Sequence, residues 1–214
     1  MSDPLVIIGC GGHGREVFGI VEAINSGPGG ERWKVLGFVD DYPRAQDMAR
    51  VGRLGSTYLG TTAWLASLER GTHYTLGIGD PQVRSTVDRK IEIHNLTPAT
   101  LIHPDSTIGE DNSLDPGVVV FAGARVTTDV RLGRHVHLNQ NCTVGHDCVF
   151  GAYASVHPQA AVSGSCTIGE RAMIGANAVV LQGLSVCPGA SVGAGACVVR
   201  DVPADLTVKG VPAR

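Results

Sequence analysis

The sequence predicts two unlike halves: a small α/β domain with a Rossmann-like parallel sheet over residues 1–98, then a coil of short parallel strands over 99–214. Three observations carry this. From Ile102 to Val198 every sixth residue is apolar, seventeen positions without a slip. Ahead of that register, short aliphatic runs alternate with helix-like segments. Finally, the 214 residues include 29 Gly but only 5% aromatic and 17% charged residues. That suits tight turns and argues against a helical bundle, where each Gly costs about 1 kcal/mol.

A period of six matches neither a helix nor a free-standing hairpin. It fits a three-sided coil of eighteen residues per turn, with one apolar side chain per side directed inward. Stacked turns lie at about the 4.8 Å strand spacing. Two residues before the apolar position the chain is small in most rungs, as at Ala124, Cys142, Cys148, Ala154, Cys166 and Ala172. These fit a narrow interior. Gly follows the apolar residue at 109, 133, 145, 151, 169, 175 and 193 and is read as easing the bend. An inward Cys behaves as a compact hydrophobe. No CxxC pair marks a metal site, so no metal is expected.

In the first half, Leu5–Ile8, Val35–Val39 and Tyr74–Ile78 read as strands. Arg15–Ile24, Thr61–Leu68 and Pro81–His94 read as helical, the last opened by Pro at its first turn. Strands alternating with helices indicate a parallel sheet. Between the first strand and helix lies Gly9-Cys10-Gly11-Gly12-His13-Gly14, which fits G-x-G-x-x-G. Bare backbone at a helix N-terminus admits a diphosphate, and Asp40 supplies the acid that a dinucleotide site needs after its second strand. The solenoid leaves no room for a dehydrogenase-type catalytic domain. A nucleotide or nucleotide-sugar is therefore favoured over NAD(P) and over a turn without ligand.

Net charge is −3, with no basic run, which disfavours a nucleic-acid partner. No stretch approaches the roughly 18 apolar residues of a membrane span. Residues 1–12 lack the features of a secretion signal, so six cysteines are expected to be reduced thiols in the cytoplasm.

Four histidines stand out in the coil: His135, His137, His146 and His157. Gly164 lies eighteen residues beyond His146, so an imidazole is expected one strand spacing from a position without a side chain. An acyl group would fit that gap, with the Gly164 N–H as an oxyanion donor and Asp147 orienting the ring. The bland alternative is that His146 and Asp147 decorate a turn.

Taken together, the glycine loop, Asp40-Asp41, Ile78-Gly79-Asp80, Leu101-Ile102-His103-Pro104, Val144-Gly145-His146-Asp147 and Lys209-Gly210-Val211-Pro212-Ala213-Arg214 resemble the PglD/NeuD family of sugar acyltransferases across essentially the whole chain. These belong among the hexapeptide-repeat acetyltransferases. The resemblance implies a left-handed β-helix, a homotrimer, acetyl-CoA as cosubstrate and a nucleotide-linked amino sugar as acceptor. It assigns His146 as general base supported by Asp147. It places Gly12, His13, Gly14, Asp40, Asp41 and Gly79 at the nucleotide-sugar. Gly164, Gly175, Ala176 and Ala194 fall at acetyl-CoA between subunits, with Pro212–Arg214 near the adenine. Some members carry a second His nine residues after the base; here that position is Ser155, assigned as a hydrogen-bond donor to the cosubstrate.

The mechanism implied is direct attack of the sugar amine on the thioester, without a covalent enzyme intermediate. O-acetylation of sialic acid or another sugar is the alternative, and serine O-acetylation is disfavoured by the leading domain. A γ-carbonic-anhydrase-like metal site would need a His pair five apart, but Gln140 and Cys142 stand at that offset from His135 and His137. A non-catalytic scaffold would leave the His146–Gly164 stack without a purpose.

Overall fold

The computed structural model describes residues 2–214. They divide into two compact units, one ending at Leu101 and the other beginning at Ile102.

The first unit runs β1 (Asp3–Ile8), α1 (Gly12–Asn25), β2 (Trp33–Val39), α2 (Ala45–Arg53), β3 (Tyr58–Gly60), β4 (His73–Leu76), α3 (Pro81–Ile91) and β5 (Thr97–Pro98). Its strands form one parallel sheet in the order β3-β2-β1-β4-β5. Central β1 is covered on both faces, so Leu5, Val6, Ile7 and Ile8 are all buried and the strand reads as a continuous apolar run. Val6 and Ile8 pack with Val39, Leu76 and Ile91 on one side. Ile7 packs with Cys10, Phe38 and Val51 on the other. Pro81 opens α3, and the Asp80 carboxylate accepts the Val83 N–H at 2.9 Å, a cap that satisfies one orphan donor of the helix.

Several elements differ from the sequence reading. Helix α1 begins at Gly12, which puts His13 and Gly14 in its first turn rather than in the loop. Residues 62–67 form a 3-10 helix, β4 stops at Leu76, and α3 gives way to a 3-10 turn at Glu92–His94. Strands β3 and β5 and helix α2 were not legible at all. The buried face of helix α2 carries Asp47 beside Val51, the carboxylate held by Arg15 at 2.9 Å, Arg44 at 2.6 Å and Arg50 at 3.3 Å.

The second unit is a parallel β-helix of two-residue strands on three faces. Thr143–Val144 lies on the first face, Val149–Phe150 on the second and Ser155–Val156 on the third, and each pairs with the strand eighteen residues before and after it. The sixth-residue positions are buried from Val120 to Val198, together with the small residues two before them. Ile102, at the first rung, is 38% exposed.

The bends are not made by the glycines that follow the apolar residues. From Ile108 to Val192, left-handed φ falls three residues after each apolar position, as at Asp129 (56°), Asn141 (58°), Asp147 (60°), Ser165 (59°) and Asn177 (56°). Asp and Asn tolerate that region well. Gly145 does different work: a Cβ there would come within 2.5 Å of the Gly164 nitrogen in the next turn. Gly109, Gly133, Gly151, Gly169 and Gly175 likewise stand where a Cβ would strike backbone of a neighbouring turn.

Candidate active site

In the first unit, the C-terminal ends of β1, β2 and β4 open onto a cleft of about 600 Å³ lined by Gly9, Gly11, Gly12, His13, Asp40, Asp41, Ile78 and Gly79, among others. Clefts at this edge of an open α/β sheet are where such folds bind ligands. Of the residues expected here, Gly14 does not line the cleft. It packs α1 against the strands, where a Cβ would collide with the Gly9 carbonyl.

Asp40 shapes the loop: its carboxylate accepts the Cys10 N–H at 2.8 Å and the Tyr42 N–H at 2.9 Å. Asp41 accepts from the Thr62 N–H (2.9 Å), the Thr62 hydroxyl (2.8 Å) and Lys90 Nζ (2.7 Å). Burial works to raise the Asp41 carboxyl, but the Lys90 and Thr62 hydrogen bonds outweigh it and hold it below the usual range. Burial, then the Asp40 and Asp47 carboxylates, push the Cys10 thiol up to about 12, so it stays protonated. Buried Arg84 donates to the carbonyls of Ile78 (2.8 Å) and Gly79 (3.1 Å) and so fixes the loop facing His13.

Lys90, Thr62 and Tyr42 line the cleft but were not singled out from the sequence. The signal for Lys90 was present. Val83, Thr86, Val87 and Lys90 recur at i, i+3, i+4 and i+7 after the Asp80 cap and put one face of α3 on the cleft.

In the second unit, His146 stands at the corner between the first and second faces, its side chain 51% exposed. Its Nδ1 is 2.5 Å from Asp147 Oδ2. A carboxylate has no proton to give, so Nδ1 is the donor, which leaves Nε2 of a neutral ring as the acceptor. That ring lies over the next turn: a Cβ on Gly164 would be 2.5 Å from Nε2 and 2.6 Å from Cε1. Two backbone bonds pin the step, Ser165 N–H to the His146 carbonyl (2.7 Å) and Gly183 N–H to the Gly164 carbonyl (3.0 Å).

The remaining expected residues lie elsewhere on the coil. Gly175, Ala176 and Ala194 are at the corner between the third and first faces, in consecutive turns. Ser155 is buried on the third face, opposite the His146 corner, between His137 and Met173. One protomer therefore does not bring these four residues to His146. Among the described residues, no three His, Cys, Asp or Glu side chains are placed to hold a metal ion, and no helix is long and apolar enough to cross a membrane.

A Rossmann-like sheet feeding a left-handed parallel β-helix with an exposed His-Asp pair over a bare glycine defines the class: the hexapeptide-repeat acyltransferases. Residues 4–91 match the model of the PglD N-terminal domain. The acetyltransferase domain of PglB from Neisseria gonorrhoeae FA1090, solved with acetyl coenzyme A, superposes with a TM-score of 0.87 at 31% identity, covering 100% of this chain and 99% of that one. PerB from Caulobacter crescentus, solved with CoA and GDP-perosamine, gives 0.86 at 31% identity over 99% of this chain and 96% of the other. GDP-perosamine N-acetyltransferase of Escherichia coli O157:H7 is 30% identical over 133 residues, 62% of this chain and 58% of that protein's length. The chain belongs to the PglD/NeuD-like family of sugar acyltransferases.

Proposed function

We propose that the protein transfers the acetyl group of acetyl-CoA to the amine of a nucleotide-linked amino sugar. The observation that carries this is the imidazole held by Asp147 with Nε2 directed at the bare Gly164 step. The CoA and GDP-perosamine complexes of the structural neighbours support the choice of donor and acceptor. The α/β cleft supplies the nucleotide handle, with Gly12, His13, Asp40, Asp41 and Gly79 at its wall and Gly14 setting its shape.

In the reaction, the sugar nitrogen attacks the thioester carbonyl carbon while His146 Nε2 takes a proton from the amine. The Gly164 N–H donates to the developing oxyanion. The C–S bond then breaks, and the CoA sulfur leaves and is protonated to the thiol, leaving an amide on the sugar. The thioester is already activated, so general-base help of about 10²–10⁴-fold is the protein's main chemical contribution.

Gly175, Ala176 and Ala194 lie on another corner. They reach acetyl-CoA in this reading only if a neighbouring copy presents that corner, which favours a homotrimer. Six free cysteines are consistent with work in a reducing cytoplasm.

The test is a panel of UDP-, GDP- and dTDP-linked 4-amino sugars and free sialic acid, each with acetyl-CoA, followed by thiol release and mass of the product. An N-acetylated nucleotide sugar is expected. Acetylation of sialic acid alone, or no thiol release with any acceptor, overturns the proposal.

A further inference from the structure

We infer that Cys148, a buried thiol beneath the site, is a positioning residue that aims the Gly164 N–H at the reacting carbonyl. The Cys148 Sγ–H donates to the Ser163 carbonyl at 3.1 Å and lies 3.6 Å from the His146 carbonyl. One thiol therefore spans the two turns between which the imidazole and the bare glycine meet. The Ser163 carbonyl and the Gly164 N–H belong to one peptide unit. In a trans peptide they point in opposite directions, so holding the carbonyl inward turns the N–H out toward the imidazole step.

The same corner repeats the device. Asn112 donates to the Thr127 carbonyl at 2.8 Å and Cys166 to the Leu181 carbonyl at 3.2 Å, each fifteen residues on in the next turn, as Ser163 is from Cys148. At other rungs of that corner the place is taken by Val130 or Leu184, which have no donor. A donor is thus optional for the fold there, and at Cys148 it falls under the one peptide that the imidazole overlies. The neighbouring Cys166 thiol and burial push Cys148 upward from the ordinary thiol value, so the group remains a donor and is not a nucleophile. The inference rests on the roles proposed above for His146 and Gly164.

Four variants and a control, Cys142→Ala, test it, using acetyl-CoA and the acceptor found in the panel. Cys148→Ala and Cys148→Val lack the donor but suit the site, since Ala and Val fill equivalent inward places at 154, 160, 130 and 136. Cys148→Ser restores a donor. His146→Ala tests the underlying site. The donorless pair is expected to lose about tenfold in kcat, a fraction of the loss on removing an oxyanion donor outright. KM for acetyl-CoA should stay within about twofold, and Cys148→Ser should keep kcat within about twofold of the parent. Cys142→Ala, at a different corner, should be unaffected. Unchanged kcat in the donorless pair overturns the inference, and so does an equal loss in the Ser variant, which would mark a packing role. An active His146→Ala enzyme overturns the site reading itself, and is seen in that arm whatever the Cys148 variants do.

Discussion

Two turns of the coil set an imidazole against a glycine one turn away, and only one of them leaves the ring exposed beside a carboxylate. His135 faces Gly117, where an added Cβ would strike the ring. His146 meets Gly164 in the opposite direction along the coil, its ring lying over the turn that follows rather than the one before. Their places in the rung differ by one residue. His135 sits three residues after Leu132, in the left-handed position (φ 52°), whereas His146 sits two after Val144. That single step decides where the ring goes. The His135 ring is fully buried and stacked on Tyr153, centroids 5.9 Å apart and planes at 16°. The His146 ring is half exposed and tied to the carboxylate of the next residue. An eighteen-residue His–Gly spacing therefore creates a stack in both cases. Exposure and the acid separate a candidate base from a packing element.

The sharpest way to break this contrast is His146→Ala, which leaves the stacked strands and the buried interior untouched. Turnover should fall by about 10²–10⁴-fold, with urea midpoint and m-value unchanged. A variant retaining near-parental kcat would put His146 in the same class as His135.

Asp147→Asn is a smaller change that isolates the carboxylate. Asn already holds the left-handed position at Asn141 and Asn177, so the turn survives. Asn can accept from Nδ1–H through its amide oxygen, but it can also donate and so support the wrong tautomer. It also removes the charge that favours the imidazolium during proton abstraction. A loss of about tenfold in kcat is expected, with KM for acetyl-CoA little changed. An unaffected pH–rate profile and kcat would make Asp147 a corner residue like Asp129.

How much of this was legible in the sequence differs between the halves. The coil was readable because each rung repeats one local rule, and a register of seventeen apolar positions overrides any single ambiguous residue. The His146–Gly164 stack followed from the same arithmetic. What the arithmetic could not give was the direction of the side chain, and hence that Ser155 is buried on the opposite face. It also misassigned the glycines. Lack of a Cβ and freedom of φ are separate properties of the same residue, and only backbone angles tell which one a position uses. In the α/β half, α2 was missed because its buried face carries the carboxylate Asp47 beside Val51, and two of the arginines that hold it, Arg15 and Arg44, lie outside the helix. The helix face that carries Lys90 was readable, but its pairing with Asp41, forty-nine residues away in the chain, was not.

The smallest effect on chemistry is expected at the other imidazole. His135→Asn removes the stacked ring but keeps a residue suited to left-handed φ, so the loss reports packing rather than backbone strain. The ring is fully buried between Gly117 and Tyr153, and truncating a buried aromatic leaves a cavity that the stiff stack of turns closes only in part. A destabilisation of about 2–3 kcal/mol is expected, read as a lower urea midpoint with the m-value preserved. Turnover per folded molecule, measured well below that midpoint, should match the parent. If His135→Asn instead kept its stability and lost turnover, burial would not distinguish the two stacks, and the assignment of His146 alone as base would have to be given up.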